Sequence, residues 1–280
     1  MTNASDVPVV TLNNGIDIPQ LGFGTWQIPE EDTQGIVEHA LQTGYRHVDT
    51  AAAYGNEAQV GAALKASGLP RDEVFVTTKL WNANHGREKT LKAFDESMGK
   101  LGLDVLDLYL IHWPLPDHDD YVETWKALEE ILESGRTRAI GVSNFQRPHL
   151  ERLLAECDVV PAVNQIELHP LLTQIDLKAF QAEKTIHTEA WSPLAQGGDL
   201  LEDDTIAGIA QRVGKSPAQT ILRWQLQEGN IIFPKSVTAS RVEENFDVFD
   251  FELTPEDLAA ITALNQDERQ GPDPDTFHVV

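Results

Sequence analysis

The chain has 280 residues, with 45 acidic and 21 basic side chains and a formal net charge of −24. An acidic surface repels phosphates at long range, and the sequence has no cluster of Lys and Arg, so nucleic-acid binding is disfavoured. One cysteine, Cys157, excludes an intrachain disulfide, and no zinc-site spacing of Cys and His is present. Without a secretory leader or an apolar run of about 20 residues, we expect one cytoplasmic domain over residues 1–280 and no membrane partner.

The first predicted element is a short β-hairpin. Two apolar runs, residues 9–12 and 16–18, flank Asn13-Asn14-Gly15. An Asn-Gly pair between such runs favours a tight hairpin turn. We expect this hairpin to plug one end of the fold.

Apolar, β-branched runs then alternate eight times with amphipathic runs, which is typical of β-α units around a parallel sheet. The predicted strands are 21–25, 47–50, 74–80, 106–113, 138–144, 162–168, 186–192 and 231–236. The predicted helices are 31–43, 57–66, 87–101, 121–134, 148–156, 177–183, 205–213 with 217–227, and 241–248. A capped, proline-initiated run predicts one more helix over 255–264, before an irregular tail over 271–280.

Eight such units form either a closed barrel or an open doubly wound sheet. A nucleotide-binding open sheet carries G-x-G-x-x-G after its first strand. Here Gly22-Phe23-Gly24 is followed by Thr25 and Trp26. We therefore predict a (β/α)8 TIM barrel with an N-terminal hairpin plug and an extra C-terminal helix and tail. Barrels of this kind place their chemistry at the C-terminal ends of the strands.

Ionisable residues stand at three successive predicted strand ends: Asp49, Lys79 and His112, with Tyr54 five residues beyond Asp49. Each alone has a structural explanation, as a cap, a surface lysine, a core histidine or a packing residue. Together they suit proton donation to a carbonyl. The pKa of an unperturbed phenol is about 10, and a lysine held by a carboxylate would lower the pKa of Tyr54. His112 would hydrogen-bond the carbonyl oxygen.

Three segments carry a family resemblance. Residues 44–57, 97–112 and 233–237 resemble signatures of the aldo-keto reductases. The resemblance implies a plugged (β/α)8 barrel in which Asp49, Tyr54, Lys79 and His112 match the catalytic tetrad. Residues around Trp191 further resemble bacterial 2,5-diketo-D-gluconate reductases. The implied activity is NADPH-dependent reduction of aldehydes and ketones, including keto sugars such as 2,5-diketo-D-gluconate.

The resemblance also implies how NADP(H) binds. The nicotinamide amide would contact Ser143, Asn144 and Gln165, and the ring would stack on Trp191. Lysine and arginine suit a phosphate dianion, so the expected clamp for the 2′-phosphate is the segment 235–238 followed by Arg241 and by Glu244-Asn245. The candidate cofactor-binding residues are Ser143, Asn144, Gln165, Trp191, Ser192, Leu194, Gln196, Lys235, Ser236, Val237, Thr238, Arg241, Glu244 and Asn245.

The substrate prediction is coarser. Trp26, Trp81 and Trp113 follow strand ends and are expected to wall an apolar pocket for a small carbonyl substrate of a monomeric, broadly specific enzyme. The acidic loop 117–120 is predicted to be solvated and not a metal site. Two alternatives are a nucleotide-binding barrel without turnover and a non-redox barrel enzyme. The first would lack a tetrad residue, and the second would need a metal cluster or paired carboxylates at strand ends.

Overall fold

The computed structural model describes residues 3–280. A short 3₁₀ helix, Ala4–Asp6, precedes the predicted hairpin, in which β1 (Val9–Thr11) pairs antiparallel with β2 (Asp17–Pro19). The hairpin packs its buried Ile18 against strand side chains at one end of the sheet. The turn is fixed by two side-chain amides, because Asn13 and Asn14 each donate to a backbone carbonyl 3.0 Å away. The prediction of a plugging hairpin is confirmed.

Eight parallel strands follow and close into a barrel. They pair in the order β3 to β10 without exchange, and a parallel bridge between Leu21 and Ile232 joins the first strand to the last. The Gly22 amide donates to the Ile232 carbonyl over 2.9 Å at this closure. The strands are β3 (Phe23–Gly24), β4 (His47–Asp49), β5 (Phe75–Leu80), β6 (Leu106–Ile111), β7 (Thr137–Ser143), β8 (Val163–Glu167), β9 (His187–Trp191) and β10 (Ile231–Ile232). The predicted barrel is confirmed.

Two glycines of the Gly22-Phe23-Gly24 sequence allow the first and last strands to approach closely where the barrel closes. A Cβ atom on Gly22 would lie 2.7 Å from a ring carbon of Phe233, and one on Gly24 would lie 3.0 Å from the Phe233 carbonyl oxygen. Both distances are shorter than ordinary contacts, so the backbones approach this closely because neither position has a side chain. The two glycines therefore allow close strand packing at the closure of the barrel.

Among residues 3–280, ten α-helices surround the barrel and extend it. They are α1 (Glu30–Thr43), α2 (Glu57–Ser67), α3 (Arg87–Leu101), α4 (Tyr121–Glu133), α5 (Arg147–Glu156), α6 (Ile175–Glu183), α7 (Asp204–Val213), α8 (Pro217–Gln227), α9 (Ala239–Phe246) and α10 (Pro255–Thr262). Side chains set several boundaries: Ser216 caps α8 by accepting from the Gln219 amide, and Thr254 caps α10 in the same way. Within residues 3–280, no helix combines the length and apolarity needed to cross a bilayer.

Several predicted boundaries near the C-terminus were wrong. Strand β10 ends at Ile232 and not at residue 236, because Pro234 has no N–H to continue the ladder and the chain turns to line the cavity described below. Helix α9 begins at Ala239, two residues before its predicted start, and ends at Phe246. The segment 233–238 is therefore a loop between these elements.

The hairpin plug should contribute measurably to stability. Replacing the fully buried Ile18 with Ala leaves a cavity against the barrel floor, and we expect Ile18→Ala to lower the free energy of unfolding by about 2–5 kcal/mol. Urea titration followed by tryptophan fluorescence measures the change. Val9 in the same hairpin is 58% exposed, so Val9→Ala is the matched control and should shift stability by less than about 0.5 kcal/mol. Equal unfolding midpoints for the two variants would contradict the plug.

Candidate active site

A cavity of about 1380 Å³ opens at the C-terminal ends of the barrel strands. Asp49, Tyr54 and His112 line it, and so do all three predicted substrate residues, Trp26, Trp81 and Trp113. The fourteen predicted cofactor residues also line this cavity: Ser143, Asn144, Gln165, Trp191, Ser192, Leu194, Gln196, Lys235, Ser236, Val237, Thr238, Arg241, Glu244 and Asn245. The volume exceeds that of a typical small-ligand pocket, which fits a dinucleotide together with a small second molecule.

Lys79 lies directly beneath the cavity and connects two of the predicted groups. Its side chain is fully buried on β5, and its Nζ donates to Asp49 Oδ1 over 2.7 Å and to the Thr50 carbonyl over 2.9 Å. A third, longer contact of 3.5 Å reaches the Tyr54 hydroxyl. Tyr54 is placed there by a short 3₁₀ helix, Ala52–Tyr54, that follows β4. The lysine is therefore held between a carboxylate and a phenol.

The pKa of Tyr54 in this cluster differs from the value that the sequence predicted. Burial raises the pKa of Tyr54 above its usual value, although Lys79 lowers it, so the predicted net decrease in pKa was wrong. Burial acts to lower the pKa of Lys79, but Asp49 and Tyr54 outweigh it, and the pKa of the lysine is raised. At neutral pH the phenol therefore keeps its proton and the ammonium keeps its charge.

The His112 ring packs edge-on against Tyr54, with 5.8 Å between the two ring centroids. Burial, reinforced by the Lys79 charge, holds the pKa of His112 well below its usual value. The imidazole is therefore neutral at physiological pH. The Trp81 ring packs edge-on against the imidazole with 5.4 Å between centroids, which limits the orientations that the imidazole adopts.

A network of amides continues from the tetrad around the cavity floor. Gln165 Nε2 donates to Asp49 Oδ2 over 2.9 Å. Asn144, in the left-handed conformation with φ of 64°, donates from Nδ2 to the His112 carbonyl and accepts from Trp191 Nε1, each over 2.9 Å. The half-buried indole of Trp191 is thereby fixed in direction at the cavity wall.

The far end of the cavity carries two cations. Lys235 and Arg241 are exposed at its rim, and neither forms an ion pair with an acidic side chain among residues 3–280. Partial burial lowers the pKa of Lys235. Between the two cations, Ser236 Oγ accepts from the Thr238 amide over 3.0 Å and orders the loop. This end is suited to bind an anion.

The sequence analysis missed the C-terminal tail as part of the site. Gln270, Gly271 and Pro272 line the cavity, because the buried Glu167 carboxylate accepts from the backbone amides of Gln270 and Gly271 over 2.6–3.2 Å. A Cβ atom on Gly271 would lie 2.4 Å from the Trp191 ring, so only glycine fits there. No local sequence signal marks a tail that docks on a strand about a hundred residues earlier.

A second missed group forms the rim between β9 and α8. Leu201 and residues 216–218 line the cavity, together with Gly197 and Gly198. The Gly-Gly pair beside Gln196 and the capped start of α8 were visible in the sequence as signals of a turn and a helix N-terminus. Ser216 Oγ donates to Glu244 Oε1 over 2.5 Å, which ties this rim to α9.

Two aspartates of the acidic loop 117–120 contact basic side chains of neighbouring segments. Asp120 Oδ1 lies 2.9 Å from His85 Nδ1, and Asp119 pairs with Arg152. The histidine contact lowers the pKa of Asp120 although burial opposes it. Throughout the described part of the chain, no group of three or more His, Cys, Asp and Glu side chains could hold a metal ion.

Removing the Glu167 charge should release the tail. His169 and two backbone amides stabilise this carboxylate and, against burial, lower its pKa, so the anchor is present at neutral pH. In Glu167→Gln the amide cannot accept all three bonds, and we expect hydrogen exchange at residues 270–271 to become about tenfold faster. Exchange mass spectrometry measures it. Glu268→Gln, an exposed neighbour, is the control, and unchanged exchange in Glu167→Gln would refute the anchor.

Comparison with known proteins identifies the family. Residues 20–266 match the model of the Aldo/keto reductase family. The chain is 55% identical over 271 residues to an aldo-keto reductase of Mycolicibacterium smegmatis, with 97% of this chain and 98% of that protein covered. It is 50% identical over 270 residues to the methylglyoxal reductase DkgA of Escherichia coli, with coverage of 96% and 98%. A crystal structure of a Gox0644 mutant in complex with NADPH matches with a TM-score of 0.93 and 47% identity, covering 97% of this chain and 98% of that one. The chain therefore belongs to the aldo/keto reductase family of oxidoreductases.

Proposed function

We propose that this protein reduces the carbonyl group of small aldehydes and ketones to an alcohol with hydride from NADPH, and that Tyr54 supplies the proton. The observation that carries the proposal is the Tyr54 hydroxyl at the cavity floor, 3.5 Å from a fully buried lysine that is itself paired with Asp49. Membership of the aldo/keto reductase family supports the reaction class.

The side chains divide the chemistry between them. NADPH, when bound, supplies the hydride. Neutral His112 hydrogen-bonds the carbonyl oxygen and orients it toward the phenol. As negative charge develops on that oxygen, the Tyr54 hydroxyl transfers its proton to it. Lys79 then stabilises the phenolate that remains, and Asp49 keeps the ammonium in place.

The cofactor assignment follows the geometry of the cavity. The Ser143 hydroxyl and the side-chain amides of Asn144 and Gln165 suit the carboxamide of the nicotinamide, and Trp191 offers a flat surface to its ring. At the other end, Lys235 and Arg241 provide a point charge and a planar fork for the 2′-phosphate. The related structure that contains NADPH supports this cofactor.

The pocket supports a small and broadly defined substrate. Trp26, Trp81 and Trp113 surround its open end, and Phe277 of the tail packs on Trp113 with ring centroids 4.3 Å apart. A relative is named methylglyoxal reductase, which supports small 2-oxoaldehydes as substrates. Keto sugars such as 2,5-diketo-D-gluconate remain part of the proposal.

A second candidate function is a nucleotide-binding barrel without turnover. The presence and connection of Asp49, Tyr54, Lys79 and His112 argue against it, since a binding protein does not need a positioned proton donor. Absorbance of NADPH, followed with a panel of 2-oxoaldehydes and keto sugars, separates the two. If NADPH is not oxidised with any of these carbonyls, the result favours the nucleotide-binding protein without turnover.

Replacing Tyr54 with Phe tests the proton donor. The ring remains and the acidic proton is lost, so we expect kcat for carbonyl reduction to fall at least about a hundredfold while the Kd for NADPH stays near that of the wild type. Stopped-flow and fluorescence titration measure the two. Tyr109→Phe is the control, because the Tyr109 hydroxyl is buried without a hydrogen-bond partner among residues 3–280. Retained turnover in Tyr54→Phe would refute the assignment.

Replacing Arg241 with Ala tests the phosphate clamp. The 2′-phosphate is present in NADPH and absent from NADH, so we expect the KM for NADPH to rise about tenfold and the KM for NADH to change little. Steady-state kinetics with each cofactor measures the effect. Lys65→Ala, which removes an exposed charge from α2, controls for net charge. Equal increases for NADPH and NADH would contradict a clamp at Arg241.

A further inference from the structure

A buried carboxyl group lies beneath the cavity and has no part in the mechanism above. Glu189 on β9 is completely inaccessible to solvent. Its Oε2 accepts from Gln165 Nε2 over 2.9 Å, and its Oε1 has no hydrogen-bond partner among residues 3–280. Because parallel strands in register point their side chains the same way, Glu189 and Gln165 face the barrel interior together.

Gln165 connects this acid to the tetrad. Its Nε2 donates to Asp49 Oδ2 as well as to Glu189 Oε2, each over 2.9 Å. A side-chain amide has two donor hydrogens, so both are used by carboxyl groups. Gln165 Oε1 is then the polar atom of this side chain that remains to accept a hydrogen bond at the cavity, which Gln165 lines. Glu189 thereby fixes which end of the amide is available to a ligand.

The charge of Glu189 changes within the range of ordinary assays. Burial, with repulsion from Asp49 on β4, raises its pKa to about 8, while Gln165 and the Lys79 charge on β5 act in the opposite direction. β10 presents the apolar Ile231 at the same level. His187, two residues earlier on β9, is near the Thr11 backbone at the other end of the barrel. Glu189 is therefore protonated at neutral pH and ionises as the pH rises past 8.

A negative charge below Gln165 distinguishes the two forms of a nicotinamide. The oxidised ring is a cation and the reduced ring is neutral, while the phosphates and riboses are the same in both. Charge near the ring is one of the means by which proteins tune such cofactors. An ionised carboxylate at this place attracts the oxidised ring and has no comparable effect on the reduced one.

We propose that Glu189 is a positioning residue of the hydride-transfer site: through Gln165 it orients the amide that faces the nicotinamide, and loss of its proton favours NADP⁺ over NADPH. The inference rests on the proposed function, since it requires the nicotinamide to lie beside Gln165. At neutral pH Glu189 is protonated and carries no charge. It therefore does not favour binding of NADP⁺ over binding of NADPH, the form of the cofactor that carbonyl reduction needs.

The ratio of two dissociation constants tests the proposal. The Kd values of NADP⁺ and NADPH are measured by quenching of tryptophan fluorescence between about pH 6.5 and pH 9.5. Titration of the 2′-phosphate or of Lys235 affects both forms and cancels in the ratio. His112 stays neutral, Tyr54 stays protonated and Lys79 stays charged over most of this range. In the wild type we expect Kd(NADP⁺)/Kd(NADPH) to fall about tenfold as the pH rises.

The Glu189→Gln variant is the matched control, because it keeps the shape and an acceptor oxygen and cannot ionise. We expect its ratio to be independent of pH. If this variant does not fold, as judged by circular dichroism, linkage provides a test on the wild type alone. Binding of NADP⁺ must release protons near pH 8 and binding of NADPH must release fewer. Isothermal titration calorimetry in buffers of different ionisation enthalpy measures that difference.

Two results would overturn the proposal: a flat ratio in the wild type without excess proton release, or the same pH dependence in the wild type and in Glu189→Gln. Neither result affects NADPH oxidation or its loss in Tyr54→Phe. Failure of the proposed function has a different signature, which is retained turnover in Tyr54→Phe or no binding of NADPH at any pH. The two failures are therefore distinguishable.

Discussion

The site depends on one buried ammonium group. The Lys79 side chain has no exposed surface, and an unpaired charge in that position would be strongly destabilising. The Asp49 carboxylate at 2.7 Å and the Thr50 carbonyl at 2.9 Å offset that cost. Removing one partner of a buried pair typically costs about 3–5 kcal/mol. The pair is formed because β4 and β5 are in register, with Asp49 opposite Thr77.

The protonation of the neighbouring groups follows from this pair. Lys79 and Asp49 together carry no net charge, so a further charge in the same buried volume would be uncompensated. The raised pKa values of Tyr54 and Glu189 both reflect that constraint, since burial is the main cause for each. The buried Lys79–Asp49 pair therefore favours the protonated form of two neighbours, the Tyr54 phenol that faces the cavity and the Glu189 carboxyl group beneath it.

Much of the fold and of the candidate site could be predicted because a barrel converts sequence order into position. Once eight strands were recognised, Asp49, Lys79 and His112 had to meet at one end, whatever their separation along the chain. The extent to which each side chain is buried could not be predicted from the sequence in the same way. The sequence places Lys79 near Tyr54, but the pKa of the phenol depends on how much solvent is excluded, which is a property of the packed fold.

Contacts between distant segments were also beyond sequence reasoning. Glu167 bonds the Gly271 amide across 104 positions, and nothing local distinguishes it from another polar strand residue. The role of Glu189 could not be predicted either, because an acid in a strand is identified as functional only when its neighbours Gln165 and Asp49 are known. Glu167 and Glu189 were missed because their partners are distant along the chain, whereas the four residues of the predicted tetrad were recognised from strand ends and from a motif.

The excess of negative charge and the binding of an anionic cofactor are compatible because they act over different distances. At physiological ionic strength, charges more than about 8 Å apart are largely screened, so most of the 45 acidic residues have little effect on a bound phosphate. The phosphate contacts proposed for Lys235 and Arg241 would be shorter than that length. Both side chains are exposed, however, and exposed ion pairs contribute little individually. In the proposed clamp, discrimination for the 2′-phosphate would therefore depend on several donors acting together, including the ordered hydroxyl of Ser236 beside the two cations.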